Sequence, residues 1–435
     1  MRKILYSVLA SFLGSMGVWA QSGTNSPYSQ YGLGLLTDQS SGFNRGMNGL
    51  SLGFHEHNQV NHMNPASYAY LDSLTFIFDM GMSGQITRFE ENGKKKNANN
   101  ADFEYAVAGF RIAPHAGFSF GIIPYTTIGY NYSTSSIVSD GQGLTYTNTY
   151  SGSGGLHQIY FGAGWEFVRG LSVGANFAYL WGDYTRSVVN NYSDGNVSTL
   201  SKYYIASVGS YKWNVGAQYT LALNKKNWLT LGVTYSQGHK IGGHPKCIIN
   251  TQNTQTGISR NDTLPRRQDG ELKLEIPTIL GAGLMYNYNN QLKVGVDYTL
   301  QKWAKIGYPT YQVVNNVSQY VMKDGVYKDR HQVTVGGEYC GAETGRKFFQ
   351  RIHYRLGASY ATPYYMINGN DGPKEISVSA GFGIPIVNSY NNRSQLNISG
   401  QWTQLSADHL IKENTFRINI GVTFNERWFM KWKLN

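Results

Sequence analysis

A chain of 435 residues has room for two or three ordinary domains or for one large all-β unit. Charged residues make up only 14%, against roughly 25% in soluble domains, while aromatics reach 14% with 33 Tyr, and Gly stands at 51 with Pro at 11. These values exclude a disordered chain, which is aromatic-poor and charge-rich, and the glycines have no collagen period. The formal net charge is +11, of which Arg2 and Lys3 carry two. The remainder is dispersed. Lys94-Lys95-Lys96 and Arg266-Arg267 are the clusters, both in loop-like sequence, so the balance points to solvated loops or an anionic membrane surface and not to nucleic acid.

In chain order, Met1-Arg2-Lys3 is a basic start, Ile4 to Gly17 an apolar run, and Val18-Trp19-Ala20 a small-x-Ala cleavage site. Residues 1–20 therefore read as a signal peptide, with no Cys after the cut to take a lipid anchor. No second apolar run approaches the ~20 residues of a membrane helix. Mean hydropathy of −0.37 looks soluble, yet a barrel wall alternates lipid-facing and lumen-facing residues and averages out.

Residues 21–72 are rich in Gly, Ser and Asn and alternate poorly, but Tyr28, Tyr31, Leu33, Leu35, Phe43, Met47, Leu50 and Phe54 supply apolar anchors. Some fifty residues make no adequate core alone, so this piece is expected to order as a hatch packed inside the barrel. It holds His55, Glu56, His57 and His62, whose spacing fits no strong metal signature; hydrogen-bonded hatch residues are the reading, and no metal or cofactor is expected.

From residue 73 to 435 the pattern has period two. Leu229, Leu231, Val233 and Tyr235 alternate with Thr230, Gly232, Thr234 and Ser236. Leu292, Val294, Val296 and Tyr298 alternate with Lys293, Gly295 and Asp297, and Phe416, Ile418, Ile420 and Val422 with Arg417, Asn419 and Gly421. One clean apolar face opposite a Gly, Ser, Thr and Asn face is a barrel-wall signal. Fourteen such segments are predicted: 73–88, 101–113, 116–132, 156–168, 171–188, 202–223, 227–244, 272–287, 292–305, 330–341, 349–361, 374–386, 393–405 and 415–427. Many reach the 9–11 residues that cross a bilayer at a tilt. Long connections, the largest near 133–155, 245–271 and 306–329, alternate with short ones such as Pro114-His115 and Arg169-Gly170, as outer loops and periplasmic turns do. The expected fold is an all-β, 14-stranded antiparallel transmembrane barrel with an N-terminal hatch, in the bacterial outer membrane.

Trp165, Trp181, Trp213, Trp228, Trp303, Trp402, Trp428 and Trp432 fall near strand ends and suggest interface girdles. Pro124 and Pro385 sit inside wall segments, where a missing N–H marks a bulge or an opening. Cys247 and Cys340 fall at opposite ends of the wall, too far apart for a disulfide. No nucleophile–base spacing, zinc motif or phosphate loop appears, so no enzyme is expected.

Asn64-Pro65-Ala66, just before the first wall strand, resembles the Asn-Pro-Ala motif in the hatch of the FadL-type outer membrane transporter family. Ser26-Pro27-Tyr28-Ser29-Gln30-Tyr31-Gly32 resembles the start of FadL-like proteins of Bacteroidota, and the order of leader, hatch and fourteen strands is similar. The resemblance implies uptake of hydrophobic small molecules, with a kinked third strand opening the wall sideways; Pro124 occupies the matching segment. Carriage of a carboxylate requires a cation, for which Arg45, Lys293 and Arg417 are candidates only, each read first as part of a lumen network. A second function stays open: a non-transporting barrel subunit of a Bacteroidota outer-membrane protein secretion or insertion complex. Partners expected are outer-membrane lipid or lipopolysaccharide, a hydrophobic ligand under the first reading, and envelope proteins under the second.

Overall fold

The computed structural model describes residues 23–138, 144–253, 255–266, 270–343, 345–386 and 394–426. The expected signal peptide, 1–20, and the aromatic tail holding Trp428 and Trp432 lie outside the described residues.

Fourteen wall strands follow one another around a closed antiparallel sheet: β1 (Phe76–Glu91), β2 (Lys94–Ala113), β3 (Ala116–Ile137), β4 (Thr145–Val168), β5 (Leu171–Tyr192), β6 (Thr199–Ala222), β7 (Asn227–Ser236), β8 (Thr278–Tyr288), β9 (Leu292–Lys302), β10 (Arg330–Cys340), β11 (His353–Ala361), β12 (Lys374–Ile386), β13 (Ser394–Ser406) and β14 (Lys412–Glu426). The ring closes where β14 pairs with β1, from Phe76↔Glu426 to Glu90↔Lys412. Closure follows from the solvent, since lipid offers no partner to an open strand edge.

The alternation orients the wall. On β14, Phe416, Ile418 and Ile420 are exposed to the outside while Asn419 is buried inward. On β9, Leu292, Val294, Val296 and Tyr298 face out and Lys293 and Asp297 face in. A band of exposed aliphatic and aromatic side chains thus encircles a polar interior, and the protein is an outer-membrane β-barrel.

Strand length is uneven. β3 to β6 run 22 to 24 residues, β7 to β11 only 9 to 11. One side of the wall therefore rises well past the length a tilted crossing needs. Several expected connections prove to be this extension. The stretch 133–155 is mostly ladder, because Ser133 and Ser135 pair across strands with Thr149 and Thr147 at 3.1 and 2.9 Å, and rows of Thr, Ser and Tyr suit a pleated surface in water. The stretch 89–100 shrinks to a two-residue turn, Asn92-Gly93, with φ of 48° and 77°. Within 245–271 the hairpin Lys246–Gln252/Ser259–Leu264 adds onto β6, and within 306–329 Tyr308–Val314 pairs with Val317–Lys323. The segments expected at 227–244 and 272–287 are shorter in the wall, since β7 stops at Ser236 and β8 starts after Pro277.

Trp165 and Trp402 lie exposed on the outer face. Trp303 does not join a girdle. It is fully buried at the long-loop end, 4.7 Å from the Tyr364 ring, with its indole N–H on Gln301 Oε1 at 2.9 Å. Cys247 and Cys340 are both free and buried.

Candidate functional site

Residues 23–75, ahead of β1, run through the lumen, and the inner face of the wall is shaped to receive them. Asn64 caps a 3-10 turn, Pro65–Tyr70, accepting from Ala66 N–H at 3.2 Å. Its amide donates to Leu52 O at 2.8 Å and to Ala217 O on β6 at 3.3 Å. Pro65 and Ala66 are buried against two wall glycines: a Cβ on Gly174 would overlap the Pro65 carbonyl, and one on Gly216 would overlap the Asn64 side chain. Part of the glycine excess in this sequence thus lets backbone lie directly on backbone.

Two charged clusters fasten the segment to the wall. Arg45, fully buried, meets Glu104 of β2 at 3.0 Å and donates to Ser40 O (3.1 Å), Asp38 O (3.0 Å) and Asn419 Oδ1 (3.3 Å). Arg417 donates to Gln85 Oε1 at 2.7 and 2.9 Å and lies 3.9 Å from the other oxygen of Glu104. In the second cluster Lys293 pairs with Glu56 and, at 3.4 Å, with Glu338. Glu338 also accepts from Arg355 Nε at 2.7 Å and lies 3.1 Å from His353 Nδ1, and Arg355 continues to Asn397 (2.6 Å) and Gln395 (3.1 Å). Between the clusters, Asp297 accepts the backbone N–H groups of Ser51 and Leu52 at 2.7 and 2.8 Å. Buried charges persist only when paired and hydrogen-bonded in this way.

The three candidate cations, Arg45, Lys293 and Arg417, are therefore brought into the lumen, each bonded to the protein's own acceptors. Sequence reading missed their partners Glu104 and Glu338, and with them Arg355, which shares Glu338 with Lys293. The signal was present, since an acidic residue at lumen parity in a wall segment has to find a counter-charge.

The long-loop end is capped by aromatics. Tyr28, Leu33, Trp303, Tyr327, Tyr364 and Tyr365 pack as one buried cluster under the loops. Arg186 of β5 holds this cap to the N-terminal segment: it donates to Gly32 O at 2.6 Å, bonds the Tyr308 hydroxyl and lies over the Tyr184 ring at 4.7 Å. An inner cavity of about 360 Å³ lies between the segment and the wall, lined by Gln39, His62, Lys212, Gln301 and Glu413 among others.

Pro124 sits at a break in the wall. The β2–β3 ladder ends at Ala106↔Ile122, and the β3–β4 register shifts between Pro124 and Thr126. Along this edge the N-terminal segment supplies the partner: Leu35 and Leu36 pair with Thr127 and Thr126, and Thr37 Oγ1 and Gln39 Nε2 each donate to Pro124 O at 2.7 Å. Pro385 is different. The β11–β12 ladder ends at His353↔Gly383, so its missing N–H faces no rung on that side.

The histidines do not converge. His55 stacks on Tyr70 at 3.9 Å, His62 on Tyr160 at 5.6 Å, and His57 lies 3.9 Å from Asp72 and 3.8 Å from Glu343. Among the described residues no group of three His, Cys, Asp or Glu side chains is placed to hold a metal.

Known structures share the architecture. A Pseudomonas aeruginosa FadL homologue superposes with a TM-score of 0.62 at 11% identity over 90% of this chain and 99% of its own. The P. putida toluene transporter TodX gives 0.60 at 13% over 91% and 100%, and the Ralstonia pickettii toluene transporter TbuX 0.59 at 15% over 89% and 98%. Identities this low carry the fold alone. No curated protein matches the sequence. What does match it is a family model described as BamG, over residues 1–435. This overturns the assignment to the FadL-type family drawn from Asn64-Pro65-Ala66, and with it the uptake of hydrophobic small molecules that the resemblance implied. The motif keeps a local reason, capping a turn against Gly174 and Gly216, that a shared barrel architecture can retain without a shared task. The chain belongs to the BamG family.

Proposed function

We propose that this barrel is a non-transporting subunit of an outer-membrane protein assembly or secretion machine. The observation that carries the reading is the family match along the whole sequence. The lumen supports it. Arg45, Lys293 and Arg417 are taken up by internal acceptors, and the edge beside Pro124 is filled by Leu35 and Leu36. In this reading residues 1–20 are removed on export, 21–72 form a fixed hatch, and 73–435 form the wall. Asn64, Pro65 and Ala66 hold the hatch at the short-turn end. Arg45, Lys293 and Arg417 clamp it laterally, and Pro124 marks a bulge whose open edge the hatch covers.

The test is purification of the full-length, tagged protein from its own outer membrane in mild detergent, followed by native gel and mass spectrometry. The reading expects a stoichiometric complex containing a second outer-membrane barrel of the insertion or secretion apparatus. A protein recovered solely as a free barrel, after cross-linking in intact cells as well, contradicts it.

A further inference from the structure

Most connections at the short-turn end hold two to four residues, but the one between β10 and β11 spans 341–352. It folds back on itself, with Ala342 N–H on Gln350 O at 2.8 Å, and ends in a 3-10 turn, Phe348–Gln350. Phe348 and Phe349 stand exposed at 45% and 72%, edge to face with ring centroids 5.7 Å apart. Arg346 and Lys347 precede them, both exposed, and Arg351 follows, half-buried.

Their place on the rim decides what covers them. Phe349 O accepts the Tyr354 hydroxyl at 3.2 Å. Tyr354 belongs to the outward row of β11. It pairs across the ladder with Tyr339, which is 52% exposed, and meets the lipid-facing Phe382 edge-on at 5.8 Å. The phenylalanine turn is thus tied to the last aromatic row of the lipid-facing wall. On the other side of the same connection Glu343 reaches His57 in the lumen, 3.8 Å away. Two aromatic rings next to an aromatic girdle, with cations beside them, match the interface between acyl chains and headgroups.

We infer that residues 346–351 form a membrane-interface anchor: Phe348 and Phe349 seat in the headgroup region of the periplasmic leaflet, and Arg346 and Lys347 engage the phosphates of anionic phospholipid. The occupant is lipid because the patch continues the lipid-facing surface and its flanking charge is positive. The anchor adds a fixed depth and tilt to the barrel on the β10–β11 side. It rests on the outer-membrane location and stands whether or not the assembly reading does.

The experiment places an environment-sensitive dye on Phe349→Cys in the full-length protein; the two native thiols are buried, and unlabelled wild type serves as the control. The protein is reconstituted into vesicles of phosphatidylethanolamine with phosphatidylglycerol, or of phosphatidylcholine alone, and folding is checked by the heat-dependent shift in gel mobility. The expected result is a blue-shifted emission, most of which is lost with a spin label near the acyl carbonyl and little with one at the chain end. Arg346→Gln with Lys347→Gln is expected to weaken the quenching in the anionic vesicles and leave it unchanged in phosphatidylcholine. A water-like emission untouched by either spin label, or quenching identical in both lipids and insensitive to the double variant, overturns the inference. So does a blue shift that appears only when a periplasmic protein fraction is added. Should Phe349→Cys fail to fold, Phe348→Cys carries the same readout.

Discussion

Arg45 and Glu104 meet at 3.0 Å in the lumen, the first from the segment preceding the wall and the second from β2, both nearly without solvent. The pair joins two parts of the chain that adjoin nowhere in sequence, and Arg417 stands 3.9 Å from the same carboxylate. Removing one partner leaves a buried charge uncompensated, whereas removing both does not. Arg45→Ala or Glu104→Ala alone is expected to cost about 3–5 kcal/mol, and the double variant less than the sum. Urea unfolding of the refolded barrel, followed by the heat-dependent gel shift, measures all three.

The glycine bed under Asn64-Pro65 makes a steric prediction. Gly174→Val places a branched side chain where the Pro65 carbonyl lies. Displacing the segment is expected to cost about 1–3 kcal/mol and to expose residues 23–72 to added protease in a barrel whose wall still resists. Gly84→Ala, where a Cβ meets nothing, is the matched control and is expected to be neutral.

Much of the wall was legible because its solvent is uniform. Lipid outside and a polar lumen inside force strict alternation, and the rows at 229–235, 292–298 and 416–420 are read directly from it. The wall beyond the membrane was misread for the same reason: residues 145–150 pair with β3, but Thr fills one face and Tyr and Asn the other, so no apolar row marks them. Asn92-Gly93 was a hairpin signal in plain view, passed over because the charged residues around it looked like a loop. Trp303 was assigned to a girdle because it is an aromatic near a strand end, while its burial depends on Tyr327 and Tyr364, more than twenty residues away in sequence. The partners of Arg45 and Lys293 are fixed by where the N-terminal segment lies in the lumen, which no local pattern encodes. The family was misjudged because a three-residue capping motif serves the packing of a hatch and carries no function of its own.

The two cysteines yield a chemical prediction. Cys247 lies in the outer hairpin, fully buried, and burial pushes its thiol up to about 11. Cys340 is buried at the other end. Maleimide at neutral pH is expected to label neither in the folded barrel, with Cys247 reacting roughly a hundredfold more slowly than a free thiol, and to label both after heating in detergent. Mass spectrometry of the intact protein reads the count.

Acid sensitivity follows from His62. Burial pushes its imidazole down to about 4, against about 6.5 in an unfolded chain. As the pH falls through this window the unfolded chain takes up the proton first, so the stability from neutral His62 is complete above about 6.5 and is lost progressively towards 4. His62→Gln is expected to flatten that acid limb. Unfolding midpoints between pH 7 and 4 for the two proteins test it.

Depletion of the protein in its own host, with quantitative proteomics of the outer membrane, tests the central claim most directly. A subunit of an assembly or secretion machine is expected to lower the folded amounts of several unrelated outer-membrane or surface proteins, with uptake of hydrophobic compounds unchanged. An unaltered outer-membrane proteome together with a specific loss of such uptake contradicts the account.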